Sequence, residues 1–298
     1  MRFAVTLVSP DLGAVHLAQS RVTQALASAG ATLLAPRLLG PPAIDMAVEA
    51  PEAALPVLRR AALDGAHELP VDVCVQPAEG RRKALFVADM DSTIIGCECL
   101  DELADFAGVK ERVAAITERA MRGELPFEAA LRERVAMIAG LPLENLERCY
   151  EERVRLNPGA RTLVQTMAAN GARCVLVTGG FTVFALKVAE AAGFHAARAN
   201  WLKEADGKLT GEVGEPILGR QAKLDALIEE SAALDQPLSA ALAVGDGAND
   251  LGMIEAAGLG VAYRAKPITA AQADARVDHC DLTALLYFQG YSAVEFAA

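Results

Sequence analysis

The residues best placed to do chemistry begin at Asp89-Met90-Asp91-Ser92-Thr93, directly after the continuous apolar run Ala84–Ala88. Side chains of an extended chain repeat every two residues on one face, so Asp89 and Asp91 are expected side by side at the run's carboxyl end. Two adjacent carboxylates repel each other, and a hard divalent cation relieves the repulsion. Magnesium suits such a pair, because it takes a few carboxylates together with phosphate oxygens and water. Alone, the motif also admits a solvated acidic turn.

A second acidic motif, Val244-Gly245-Asp246-Gly247-Ala248-Asn249-Asp250, follows the apolar run Leu242–Val244. Its glycines allow close backbone approach to a ligand. Asp246 is expected to add a carboxylate to the same cation, and Asp250 to orient metal-bound water. The bland alternative is an Asx-type turn. Thr178-Gly179-Gly180 ends a third apolar run, Cys174–Val177. A hydroxyl and free N–H groups at a helix start make an anion cradle. Lys223 alone is an ordinary solvated lysine. Together, three strands bring an Asp pair, a hydroxyl-Gly-Gly loop and an Asp-Asn-Asp cluster to one sheet edge, where open α/β sheets bind ligands.

Apolar runs buried on both faces and separated by helical segments predict a doubly wound, Rossmann-like parallel sheet, an α/β fold. Gly159–Ala169 reads as one helix, with Asn157-Pro158 as N-cap and first-turn proline. The stretch 96–156 is far longer than a crossover needs and reads as an inserted helical cap, with helices at Val113–Met121 and Phe127–Ile138. Residues 1–80 read as a small α+β unit. Its strands are Phe3–Val8, Thr32–Ala35, Ile44–Val48 and Val71–Gln76. Its helices are His16–Ser28, stopped by Gly30, and Pro51–Leu63. The order is βαββαβ, ferredoxin-like. Pro77–Lys83 reads as a linker to residues 81–298. Leu286–Gly290 (LYFQG) resembles part of a protease-tag site but continues into ordinary sequence, and it is read as native.

The chain has 298 residues and a formal net charge of −11, which suits about two domains and disfavours a nucleic-acid partner. Its six cysteines are scattered without a CxxC pair, which fits a reducing cytoplasm better than a zinc or disulfide framework. Neither a signal peptide nor a membrane span is expected. His16, His67, His195 and His279 have no metal-ligand spacing, and no GxSxG elbow is present, which disfavours histidine-nucleophile and serine-hydrolase chemistry.

In their order, DMDST, TGG, the lysine at Lys223 and GDGAND resemble the haloacid-dehalogenase-like phosphatases over roughly residues 84–285. Glu98 in DSTIIGCE, Arg134 in LRERV, GGF at 179–181 and AKPI at 265–268 resemble the phosphoserine phosphatase family within that superfamily. The resemblance implies hydrolysis of O-phospho-L-serine through an aspartyl-phosphate, the last step of serine biosynthesis. It implies Asp89 as nucleophile and Asp91 as acid and base. It implies magnesium held by Asp89, Asp246 and the backbone carbonyl of Asp91. Lys223, Ser92, Thr178, Gly179 and Gly180 balance phosphoryl charge, and Asn249 positions the phosphate. The resemblance implies that Glu98 meets the substrate ammonium and Arg134 its carboxylate, a charge logic that suits an amino acid. Thr178 stands where these enzymes usually carry serine. Lys223 lies in a looser match, with Arg220 as a substitute. Residues 1–80 resemble ACT-type regulatory domains, which implies effector binding and pairing of two copies. The alternatives are a phosphatase or phosphotransferase for another small phosphomonoester, and a non-catalytic amino-acid sensor.

Overall fold

All four residues of Leu85–Ala88 are buried, as a strand covered on both faces requires. The computed structural model describes residues 1–41, 43–121 and 124–297. In the N-terminal part these are β1 (Arg2–Val8), α1 (Leu12–Ser28), β2 (Thr32–Leu33), β3 (Arg37–Gly40), β4 (Ala43–Glu49), α2 (Leu55–Gly65) and β5 (Asp72–Pro77). There follow β6 (Leu85–Ala88), α3 (Cys99–Phe106), α4 (Lys110–Met121), α5 (Phe127–Ala136), α6 (Glu144–Arg153) and α7 (Ala160–Ala169). Next come β7 (Arg173–Phe181), α8 (Thr182–Ala192), β8 (Ala196–Asn200), β9 (Leu202–Ala205), β10 (Lys208–Val213) and α9 (Arg220–Ala233). The chain continues through β11 (Ala241–Gly245), α10 (Leu251–Ala256), β12 (Leu259–Tyr263), α11 (Pro267–Gln272), β13 (Ala275–Val277) and α12 (Ala284–Phe288).

The main sheet has the order β13-β12-β11-β6-β7-β8. Every neighbouring pair in it is parallel. The central strands β6, β7 and β11 carry the three motifs at their carboxyl ends. The N-terminal sheet is antiparallel, ordered β2-β4-β1-β5 with β3 on β4. The expected βαββαβ path is present with β3 as an added short strand. α1 begins four residues before His16, because the Asp11 carboxylate accepts the N–H groups of Gly13 and Ala14.

Helices α3–α6 occupy the inserted stretch. A hairpin the sequence reading did not find, β9–β10, completes the cap. The Gly140 N–H donates to the Leu209 carbonyl at 2.8 Å, and the Leu209 N–H donates to the Leu141 carbonyl at 2.9 Å. Its turn is Asp206-Gly207, both at positive φ, as a tight hairpin turn favours.

Asn157 does not cap α7, whose N-cap is Gly159 at φ 80°. The Asn157 amide instead donates to the carbonyls of Thr93 (2.8 Å) and Ile95 (3.2 Å), tying α7 to the loop after β6. The segment read as a linker is a fixed joint. Arg81 donates from both terminal nitrogens to Asp45 at 2.9 Å and also to the Phe288 carbonyl. Lys83 donates its ammonium to the carbonyls of Gly80 and Ser239. Asp72 accepts the N–H groups of Asp278, His279 and Cys280. Leu286–Gly290 is built into this joint, since Gln289 is buried and accepts the Lys83 N–H at 3.1 Å.

Candidate active site

Asp89 leaves the end of β6 with its N–H donated to Val244 of β11, so the two motif strands are locked in register. Its carboxylate accepts the Met90 N–H at 2.8 Å. Asp91 reaches the same cleft from a turn and not from the strand itself, and the next residue, Ser92, adopts φ 56°. The Asp91 carboxylate accepts the Cys99 N–H at 3.2 Å. A left-handed serine is uncommon, and here it turns the chain so that Ser92 donates its hydroxyl to Glu98 at 2.7 Å.

Beneath these groups, the ammonium of Lys223 lies 2.6 Å from Asp89 and 2.5 Å from Asp250, fully buried on α9. Arg220, the alternative, is exposed at the start of that helix. Asp250 also accepts the Gly247 N–H at 3.0 Å. The glycine of the turn is required, because a Cβ on Gly245 would lie 2.3 Å from the Asp250 carboxyl carbon. Thr178 is buried and its hydroxyl accepts the Gly180 N–H at 2.9 Å, which shapes the loop after β7.

A cleft of about 140 Å³ gathers most of these side chains. Asp89, Asp91, Glu98, Arg134, Thr178, Gly179, Gly180, Asp246 and Asn249 line it. Lys223 and Asp250 support its floor from below. Ser92 does not line it; its hydroxyl donates to Glu98 at the cleft edge. Phe127 and Lys266 line the cleft as well, and neither was assigned a role from sequence. Lys266 lies in the AKPI motif, which was the available signal; nothing marked Phe127 beyond its place at the start of a cap helix.

The electrostatics favour a cation. Oxygens of Asp89, Asp246 and Asp250 lie within 4.8 Å of one another. Burial, and then Asp250, raise the Asp89 pKa well above the usual carboxylate range, against the pull of Lys223. Burial, and then Glu98, push Asp91 up to about 7. Burial and Asp250 push Asp246 up to about 6. Burial opposes the Lys223 charge, but Asp250 and Asp89 outweigh it and its pKa is raised. One buried ammonium therefore leaves the carboxylates undercompensated. The hard oxygen donors fit a magnesium-sized ion.

The profile of the haloacid dehalogenase-like hydrolases matches residues 86–255. The chain belongs to that family. Among these hydrolases, the phosphoserine phosphatase of Streptomyces coelicolor is 43% identical over 243 residues, 81% of this chain and 59% of that protein. The chain thus spans less than two thirds of that relative's length. The structure of a probable phosphoserine phosphatase from Vibrio cholerae, in unliganded form, is similar with TM-score 0.74 at 29% identity, over 98% of this chain and 88% of that one. A phospho-aspartyl intermediate analogue of phosphoserine phosphatase is 39% identical with TM-score 0.65, over 70% of this chain and 99% of that one.

Proposed function

We propose that this protein is a magnesium-dependent phosphatase that hydrolyses O-phospho-L-serine to L-serine and inorganic phosphate. The observation that carries the reading is a single cleft with Asp89 and Asp91 together with Glu98 and the guanidinium of Arg134. Among the described residues, Arg134 has no ion-pair partner within 4.0 Å. Its one hydrogen bond runs from Nε to the Ala130 carbonyl at 3.3 Å. An unpaired guanidinium beside a carboxylate suits a ligand that carries both a carboxylate and an ammonium.

In this reading Asp89 attacks phosphorus in line while the bond to the serine oxygen breaks. Asp91, protonated at the start, gives its proton to the departing oxygen. That chemistry needs a carboxyl with a raised pKa, and burial beside Glu98 supplies one. Asp91 then takes a proton from water, the water oxygen bonds to phosphorus, and the Asp89–phosphorus bond breaks. Phosphate leaves and Asp89 is regenerated as carboxylate. Lys223 holds Asp89 in place throughout. Thr178, Gly179, Gly180 and Asn249 orient the phosphoryl oxygens. Asp89, Asp246 and the Asp91 carbonyl would hold magnesium, with Asp250 behind them, and the ion would polarise the phosphoryl group. Glu98 and Arg134 bind the amino-acid end.

Residues 1–80 are proposed as an ACT-like regulatory domain that pairs two copies, and residues 81–298 as the phosphatase domain. The antiparallel βαββαβ path supports the first part. A cytoplasmic setting is proposed on six free cysteines. Among the described residues no helix is long and apolar enough to cross a membrane.

The test is phosphate release from L-phosphoserine with and without magnesium, beside an aryl phosphate and a phosphorylated sugar. Preference for L-phosphoserine supports the reading. Equal turnover of all three would leave a general phosphatase.

A further inference from the structure

We propose that Lys266 is a second phosphate-binding cation, one that captures the phosphoryl group at the cleft mouth and does not read the amino-acid end. This rests on the phosphatase reading above. Among the described residues, the cleft lining contains four carboxylates, Asp89, Asp91, Glu98 and Asp246, but only two cations, Arg134 and Lys266. A phosphomonoester dianion meets an acidic rim on a chain of net charge −11. Lys223 is already shared between Asp89 and Asp250. Lys266 is not engaged in this way: its charge draws the Asp246 pKa down, but among the described residues its ammonium makes no hydrogen bond and no ion pair within 4.0 Å.

The root of this side chain is held in place. The Lys266 N–H donates to the Asp246 carbonyl at 3.0 Å, so its backbone is tied to the motif that supplies Asp246 and Asn249. The Lys266 carbonyl accepts the N–H groups of Thr269 and Ala270, both at 3.0 Å, and Pro267 opens α11 immediately after it. A backbone tied to Asp246 and an exposed residue at the cleft rim make Lys266 an arm anchored beside the Asp246 motif. Arg134, by contrast, comes from the cap. The two cations of the lining thus arise from opposite walls, one on the sheet side and one on the cap side. A compact ammonium on a four-carbon stem suits a phosphate as a point charge, whereas the planar fork of Arg134 suits a carboxylate.

The experiment uses the full chain with magnesium, as wild type, Lys266→Met and Lys266→Arg. Inorganic phosphate is titrated calorimetrically at several ionic strengths, and kcat/KM is measured on phosphoserine and on an aryl phosphate. An exposed rim charge steers and binds in a salt-dependent way. Lys266→Met should therefore weaken phosphate binding by roughly tenfold at low salt and flatten the salt dependence. It should lower kcat/KM on both substrates by a similar factor, leaving their ratio unchanged, and Lys266→Arg should restore most of both. Three results would overturn the proposal. One is unaltered phosphate affinity and salt slope in Lys266→Met. Another is a loss confined to phosphoserine, which would place Lys266 at the carboxylate. The third is a loss that arginine does not rescue and that accompanies a lower Tm, which would make the residue structural. Wild-type protein that neither binds phosphate nor hydrolyses any phosphomonoester would overturn the phosphatase reading itself.

Discussion

On the proposed reading, replacing Arg134 with alanine separates recognition of the substrate's amino-acid end from that of its phosphoryl end. In the free protein the guanidinium is a costly group. Burial pulls its pKa below that of an ordinary arginine, and the carboxylates of Asp101, Glu98 and Asp91 only partly oppose this. Among the described residues its one hydrogen bond is a long 3.3 Å contact to the Ala130 carbonyl. Arg134→Ala should therefore change folding stability by less than about 1 kcal/mol. The bound state differs on the proposed reading, in which a substrate carboxylate would lose a bidentate, charge-assisted partner. Breaking a buried pair costs about 3–5 kcal/mol. The cleft is open to water, so the lower end applies. About 3 kcal/mol is roughly a 150-fold loss in kcat/KM on phosphoserine. An aryl phosphate has no carboxylate and should lose less than about threefold. Arg134→Lys should recover part of the loss, since an ammonium cannot reproduce the fork. The assay is the ratio of kcat/KM for the two substrates, with Tm measured alongside. An unchanged ratio would refute the role of Arg134. A large fall in Tm would refute the claim that the guanidinium is unpartnered in the free protein.

Asp89→Asn should fold normally and lose turnover, because an amide is a poor nucleophile; phosphate release near the wild-type rate by the purified, folded variant would exclude Asp89. Chelation by EDTA should abolish activity and added magnesium should restore it, as measured by phosphate release; full activity in metal-free buffer contradicts the cation site. Arg81→Ala should lower stability by about 3 kcal/mol in denaturant unfolding, because it strips Asp45 of a bidentate partner in a mostly buried joint; an unchanged midpoint refutes that. Cys97 should react first with a thiol reagent at pH 8, since a hydrogen bond with Cys99 lowers its pKa, whereas burial pushes Cys74, Cys149 and Cys174 up to about 12. A fast phase that persists in Cys97→Ser would show that another thiol is responsible.

The strands that carry the motifs were legible because burial on both faces leaves unbroken apolar runs, as in Leu85–Ala88 and Ala241–Gly245. Asp89, Asp246 and Thr178 follow such runs, so their meeting at one edge could be read from topology alone. Residues whose role depends on tertiary partners were not legible in this way. Asn157 sits before a proline and reads as a cap, yet its amide serves two carbonyls of the loop after β6. Lys266 stands in the AKPI motif, but what the motif positions is set by its backbone tie to Asp246, which the sequence does not show. The hairpin β9–β10 is short and charged, and its Asp206-Gly207 turn was the one usable signal. Pro77–Lys83 has linker composition, but Arg81 finds Asp45 and Phe288 in elements distant along the chain.

That joint bears on whether residues 81–298 stand alone. Val8, Leu39, Ala43 and Cys74 of the N-terminal sheet belong to the same buried cluster as Tyr287, Phe288 and Tyr291 near the C-terminus. Gln76 donates to the Phe288 carbonyl at 2.7 Å, and Asp72 holds the three N–H groups at 278–280. Removing residues 1–80 returns those polar groups to water, where they are satisfied at little cost. The apolar side chains have no such recourse, since uncovering each large one costs about 1.5–3 kcal/mol. The loss falls on α12 and on the edge strand β13, which packs against β5 and is tied to α2 by the Arg59–Asp274 ion pair just before it, whereas β6, β7 and β11 keep their neighbours and the motif loops. The truncated chain should therefore retain its α/β circular dichroism and a cleft that hydrolyses phosphoserine. Its midpoint should fall, and amides 284–297 should exchange with solvent much faster than in the full chain. Equal protection of that segment in both chains would show that the N-terminal sheet does not hold α12 in place. Loss of the α/β signal would show that the two parts fold only together.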